Sequence, residues 1–378
     1  MNGLEKYFLL DPEVIFLNHG SFGATPEPVF REYQRWQREL ESQPVEFLGR
    51  RAPELLAESR LALAQYFGVA ADDLVYVINA TTGINIVARS LKLGPGDEVL
   101  TTNHEYGACD RTWRFLSRKR GFDYISHAIS LSDDFVDDFW ANVTERTRVI
   151  FLSHITSPTA AIFPVADICQ RARDAGILTV VDGAHAPGQI QLWLEQLNAD
   201  FYVGNLHKWL CAPKGAGFLY AHKDVQSLLE PLVISWGYEA EQPGSSQFVD
   251  HHEMWGTRDI SVFLSVPAAI SFQEDNDWEK VRSACHTLVR RAEKRLRGLT
   301  GLPSLYPSDE WYAQMAALRL PDNVDIKWLK DKLYTAFHLE IPVFEWDRRN
   351  WMRISIQGYN TQRDADALLS ALGILLET

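Results

Sequence analysis

The stretch ILTVVDGAHAPGQIQLWLEQLNADFYVGNLHKWLCAPKGAGFLY, residues 177–220, decides the fold. It opens on a nearly continuous apolar run that stops at a carboxylate, Asp182. Runs of this kind mark strands buried on both faces, as in parallel sheets covered by helices. A carboxylate at the end of such a strand is costly unless it meets a fixed cation. A second apolar run, FYVG (201–204), leads into Asn205-Leu206-His207-Lys208-Trp209 and then the Gly-rich return PKGAGFLY (213–220). A lysine held between a buried strand and a return strand is no surface lysine. Desolvation and nearby cations lower its pKa toward the range in which the free amine attacks a carbonyl.

Working outward, the same alternation extends back to residue 73. The apolar runs DLVYVIN (73–79), EVLTT (98–102) and VIFLSHI (149–155) alternate with the helical stretches GINIVARSL (83–91), 108–118 and VADICQRARDAG (165–176). Strands separated by helices are βαβ units of a mostly parallel sheet, so the fold class is α/β. Beyond residue 259 the texture changes. Helical patterns at 260–274 and 278–299 precede short strand patterns at 316–320, 343–346 and 352–356, and a helix from Thr361 ends the sequence. The division expected is an N-terminal arm (1–25), a large domain (26–258) and a smaller α+β C-terminal domain (259–378).

Bulk properties narrow the function. With 378 residues, 46% hydrophobic and 23% charged, the chain has material for two domains. A net charge of −13 argues against a nucleic-acid partner, which needs a basic face. The four cysteines are scattered without a CxxC pair, so neither a disulfide framework nor a metal site is indicated. No apolar run approaches a membrane span, and the N-terminus lacks a signal-type apolar region, so a soluble cytoplasmic protein is expected.

In a doubly wound sheet, ligands sit at the carboxyl ends of the strands. After the first run comes Asn79-Ala80-Thr81-Thr82-Gly83, where hydroxyls and free N–H groups at a helix start form an anion site, or Thr82 simply caps the helix. After the second comes Asn103-His104-Glu105-Tyr106-Gly107, with a ring that can lie on a flat cofactor or belong to an ordinary polar loop. The third ends in Ser153-His154-Ile155-Thr156, whose His154 and Thr156 are candidate donors to a ring oxygen. Asp182, with His185 beside it, suits a protonated pyridine nitrogen, and Lys208 an aldehyde. Anion cup, aromatic lid, strand-end Asp and Lys together match one cofactor, pyridoxal 5′-phosphate (PLP). The nicotinamide alternative lacks its fingerprint, since Gly94-Pro95-Gly96 runs into Asp97 and a strand rather than a helix, and no GxxxxGK[ST] run occurs.

The motifs LNHGSFGATP (17–26), NATTGIN (79–85), NHEYGA (103–108), VDGAHAPG (181–188), HKWLCAPKGAGFLY (207–220), WGTRD (255–259) and MRISIQGYNT (352–361) together resemble the class V aminotransferase-like branch of fold-type I PLP enzymes, over nearly the whole length. Within it the sequence is most similar to the isopenicillin-N epimerase-like group, with relatives among cysteine desulfurases and C–S lyases. The resemblance implies a seven-stranded, mostly parallel sheet and a homodimer. It makes Lys208 the imine-forming residue that shuttles the α-proton, Asp182 the partner of the pyridine nitrogen, and His185 a neighbour of the ring. Thr81, Thr82, Asn205 and His207 become phosphate contacts. Tyr106, or failing it His104, lies over the ring. Thr257 reaches the partner's site, Arg353 grips the substrate carboxylate, and Asn18 and His19 line the substrate mouth.

One departure bears on the reaction. Desulfurases of this branch carry a loop cysteine shortly before the carboxylate-binding arginine, and FHLEIPVFEWDRRNWMR (337–353) has none. The expected activity is therefore chemistry at the α-carbon of an amino acid: epimerisation, C–S β-elimination or transamination. Intact Lys208, Asp182 and Arg353 argue against a non-catalytic protein of the same fold.

Overall fold

The computed structural model describes residues 3–376. Its centre is a seven-stranded sheet: β1 (Leu74–Val77), β2 (Glu98–Thr102), β3 (Asp123–His127), β4 (Thr147–Ser153), β5 (Leu178–Asp182), β6 (Phe201–Asn205) and β7 (Gly217–Ala221), in the order β1-β7-β6-β5-β4-β2-β3. Every pair is parallel except those of β7, which runs against both β1 and β6. β7 is the return strand after Lys208, and its reversal follows from the short connection there.

The strands' period of two sorts their side chains onto two faces. Val75, Val99, Phe151, Val180, Val203 and Leu219 face one apolar layer, which α3 (Ala80–Ser90) and α4 (Gly107–Arg120) cover with Ile84, Val87, Trp113 and Leu116. Tyr76, Leu100, Ile150, Leu152, Tyr202 and Phe218 face the other, whose core includes residues of α2 (Ala52–Phe67) and α5 (Val165–Asp174). Outside these, α1 (Glu27–Ser42) packs on two helices later in the chain. Those two, α6 (Ser261–Leu264) and α7 (Val266–Asp275), occupy the stretch expected as one helix over 260–274. Pro267 explains the break, since its ring and missing N–H are tolerated only in a first turn.

The C-terminal part holds β8 (Met315–Arg319), β9 (Val343–Trp346) and β10 (Arg349–Ser355), an antiparallel sheet in the order β9-β10-β8, with α8 (Trp278–Thr300) against β8. The N-terminal segment joins it. Ile15–Phe16 pairs in parallel with Leu339–Glu340, and Asn18 bridges Ser355. No helix among the described residues is long and apolar enough to cross a membrane.

Candidate active site

The carboxyl ends of β4, β5 and β6, with the start of α3, surround a cavity of about 410 Å³. Asp182 lies in its wall, 2% exposed. The Ala184 N–H donates to Oδ1 at 2.9 Å and the Cys109 thiol to Oδ2 at 3.4 Å, and neither donor is charged. Burial holds the Asp182 carboxyl above its usual range, against that backbone bond and the charge of Lys208. Such a carboxylate is built to receive a cation. The following Gly183 is required, because a Cβ there would come within 2.1 Å of the Tyr202 ring.

Lys208 enters the same cavity from the turn between β6 and β7. Burial pulls its amine down to about 7, with Arg353 acting in the same direction and Asp182 opposing. Its Nζ lies 3.1 Å from His185 Nε2, while the Trp209 indole N–H donates to His185 Nδ1 at 3.3 Å. An indole can only donate, so Nδ1 accepts and the proton of the neutral ring sits on Nε2, facing the Lys208 lone pair. Burial, then the charge of Lys208, keeps His185 well below its ordinary pKa and therefore neutral.

In the same cavity wall, Asn79, Ala80 and Thr81 present the N-terminus of α3. Asn79 Oδ1 caps the helix by accepting the Thr82 N–H at 2.8 Å and the Thr82 hydroxyl at 3.1 Å, so Thr82 is committed locally while Thr81 lines the cavity. Asn205 ties β6 to the helix by accepting the Ala80 N–H at 2.8 Å. His207, also in the wall, bonds the Ala216 carbonyl through Nδ1 at 2.9 Å. The positive end of the helix dipole suits an anion here.

Other residues singled out from sequence fall elsewhere. Tyr106 lines the cavity and is 44% exposed, whereas His104 is buried, with Nδ1 on Thr159 and Nε2 on the Ile129 carbonyl. Ser153, Ile155 and Ser157 line the cavity. The period of two turns His154 and Thr156 away, His154 to the Tyr202 hydroxyl at 2.8 Å and Thr156 to Thr159. His19 lies behind the Lys208 turn rather than in the cavity wall. Its Nε2 bonds the Lys208 carbonyl and its Nδ1 the Tyr359 hydroxyl, both at 3.0 Å, and burial lowers its pKa to about 3. Asn18 is spent on Glu340 and Ser21. Thr257 is exposed and is not part of this cavity wall.

Arg353, 6% exposed on β10, donates from Nη1 to the Ser157 carbonyl at 2.6 Å and hydroxyl at 3.3 Å, and from Nη2 to Ser21 at 3.3 Å. All these partners are uncharged, and its Nε has none. A buried guanidinium so placed is prepared for an anion. Ser21, Ser157, Glu105 and Trp209 belong to the site's surroundings but were not picked out from sequence. Ser21, Glu105 and Trp209 lie inside motifs already quoted, and nothing local distinguishes a hydroxyl, carboxyl or indole that faces a site from one that does not. Gly23 completes the assembly. With φ of 70°, it lets the N-terminal segment approach so closely that a Cβ would lie 2.0 Å from the His207 carbonyl oxygen and 2.9 Å from Lys208 Cα.

Comparison with known proteins identifies relatives of the chain. The aminotransferase class-V family profile matches residues 15–368. The chain is 36% identical to the isopenicillin N epimerase of Amycolatopsis lactamdurans over 96% of this chain and 95% of that one. It is also 36% identical to the isopenicillin N epimerase of Streptomyces clavuligerus, over 97% and 96% of the two chains. Among solved structures, the cystine C–S lyase C-DES in complex with its product cysteine persulfide superposes with a TM-score of 0.84 at 22% identity, covering 96% of this chain and 98% of that one. The fold is that of fold-type I PLP-dependent transferases, and by the extent of the sequence match the chain belongs to the aminotransferase class-V family.

Proposed function

We propose that this PLP-dependent enzyme removes and returns the α-proton of an amino acid, with Lys208 as the residue that holds the cofactor and moves the proton. One observation carries the reading: a single cavity presents a helix N-terminus, a neutral-leaning lysine and a buried carboxylate short of a cation. These match the phosphate, the aldehyde and the pyridine nitrogen of PLP. Bound there, PLP supplies an electron sink for the α-carbon. Asp182 would keep the ring nitrogen protonated, and Thr81, Asn205 and His207 are the residues that would hold the phosphate. His185 presents its Nε2 proton beside Lys208, and Tyr106 would cover the ring. Arg353 holds the substrate carboxylate, with Ser21 and Ser157 fixing its plane.

Exposed Thr257 follows Gly256, where a Cβ would lie 4.0 Å from Ser235 Oγ in a segment of exposed apolar side chains (Leu232, Val233, Ile234 and Trp236), which supports a homodimer in which this segment meets the partner's site. Free, buried thiols and the acidic balance support a reducing, cytoplasmic setting.

After proton removal the chemistry divides. The resemblance to isopenicillin N epimerases favours return of the proton on the opposite face, for which the Tyr106 hydroxyl is available, the ring nitrogens of His104 and His19 being engaged. A persulfide route is disfavoured. The four cysteines are buried, and burial pushes three thiols (Cys169, Cys211 and Cys285) up to about 12 and that of Cys109 well above the ordinary thiol range. Incubation with an amino-acid panel in heavy water, followed by mass spectrometry, tests the proposal. Deuterium at the α-carbon without any cysteine persulfide is expected. Inverted configuration selects epimerisation, pyruvate with released sulfide selects β-elimination, and keto acid with aminated cofactor selects transamination. A panel without α-exchange, elimination or transamination refutes the reading.

Two results are expected of the site's charges. Since only the free amine attacks an aldehyde and the Lys208 amine titrates near 7, capture of PLP by the apoprotein accelerates through pH 7 and levels off above about pH 8. An unshifted lysine would keep accelerating toward pH 10, and stopped-flow absorbance separates the two. Arg353→Ala raises KM for α-amino acids while the absorption spectrum of the bound cofactor stays close to wild type. The lost charge-assisted bonds are worth about 1.5–3 kcal/mol, roughly a 10- to 150-fold fall in kcat/KM.

A further inference from the structure

The cavity around Lys208 continues past Tyr106. Tyr106 and Ser157 also line a second cavity of about 300 Å³, whose walls include Pro158, Pro342, Phe344 and Trp346, with Arg353 and Glu105. We propose that this second cavity receives the substrate side chain and selects α-amino acids that carry a bulky apolar or aromatic group. The inference rests on the reading of Lys208 and Arg353 given above and adds the substrate class to it.

The argument begins with the hairpin β9–β10. Phe344 pairs with Trp351 and Trp346 with Arg349, so Phe344 and Trp346 project on the same face as Trp351 and, two residues further along β10, Arg353. The hairpin closes with only Asp347 and Arg348 between the paired residues, at φ of 49° and 57°, as a two-residue turn of the primed kind requires. Carboxylate anchor and aromatic wall thus ride on one rigid element. In the proposed pose, an amino acid gripped by Arg353 with its α-carbon toward Lys208 lays its side chain along Phe344 and Trp346, which line the same cavity as Arg353.

The wall's chemistry then decides what it accepts. Trp346 cannot offer its indole N–H, which donates to the Asn103 carbonyl at 3.1 Å, and its ring is held 4.7 Å from that of His104 and edge-on to Trp351. What remains is a fixed apolar ring surface, suited to aromatic or branched groups. Glu105 supplies no counter-charge for a basic side chain. It accepts from Ser153 and Thr102, and burial pushes its carboxyl up to about 8, leaving it mostly neutral at pH 7. The one-carbon side chain of cysteine or alanine would leave most of this space to water. No cysteine lines either cavity.

The test uses the holoenzyme and α-deuterium exchange with alanine, cysteine, phenylalanine and tryptophan, alongside spectral titration of the bound cofactor. Exchange kcat/KM at least about tenfold higher for the aromatic amino acids than for alanine is expected, a discrimination within reach of an apolar pocket. Trp346→Ala and Phe344→Ala lower that ratio at least about tenfold, whereas Trp346→Phe keeps it, as does Glu345→Gln on the hairpin's exposed opposite side. Phe344→Trp, which narrows the cavity while keeping the hairpin face filled, shifts the preference from tryptophan toward phenylalanine. A normal Lys208-linked absorption band with equal kcat/KM across the panel overturns the substrate class alone, as do variants that lower alanine and phenylalanine by one factor. A holoenzyme without that band overturns the underlying reading as well.

Discussion

Lys208→Ala removes the absorption band of the covalently held cofactor and lowers kcat by at least about 10³-fold. General-base assistance alone is typically worth about 10²–10⁴-fold, and loss of the covalent link adds to it. The basis is geometric: among the described residues, the only amine in the wall of the main cavity is that of Lys208, with His185 Nε2 at 3.1 Å. Folding should survive. The turn is held through the Lys208 backbone, whose carbonyl bonds His19, and removing a side chain that opens onto a cavity empties no core. Absorbance spectra of the variant reconstituted with PLP, together with its turnover, decide the matter. A covalent band and normal turnover in Lys208→Ala would remove Lys208 from the mechanism.

Asp182→Asn costs catalysis far more than stability. The amide keeps the shape and can still accept the Ala184 N–H, but it carries no charge with which to hold a proton on the ring nitrogen. A preorganised electrostatic partner of this kind is worth about 2–4 kcal/mol in the transition state, on the order of 30- to 1000-fold in kcat. Because burial makes the unpaired carboxylate costly, the apo variant should be no less stable than wild type, and a thermal melt of both apoproteins checks this. An unchanged kcat at full cofactor occupancy would refute the role.

The sheet and the strand-end residues were legible for a shared reason. Both depend on continuous apolar runs, and in this architecture such runs end at the ligand. Asn79, Asp182, Asn205 and Lys208 each close or directly follow a run, and all four line one cavity. The strand Asp123–His127 has no apolar run because it lies at the sheet edge, half wet. The amphipathic helices Glu27–Ser42 and Ala52–Phe67 carry their information in tertiary packing rather than in any site motif. The histidines were the hard cases. His19, His104 and His154 sit in or beside site motifs, yet each is buried and hydrogen-bonded away from the main cavity. Whether a ring faces a cavity or the layer behind it depends on strand parity and on neighbours tens to hundreds of residues away. The aromatic pair Phe344 and Trp346 has a similar history, since their alternation is visible in sequence but the cavity they face is not.

The pairing of Ile15–Phe16 with Leu339–Glu340, reinforced by Asn18 on Ser355 and His19 on Tyr359, sets a timetable for biosynthesis. Within this chain the segment 15–16 is synthesised long before the strand at 339–340 with which it pairs. Closing so long a loop delays these contacts until the intervening domain has formed. The lysine turn, which His19 holds from behind, therefore gains the full support of the N-terminal segment only late in folding, once the domain between the paired strands has formed.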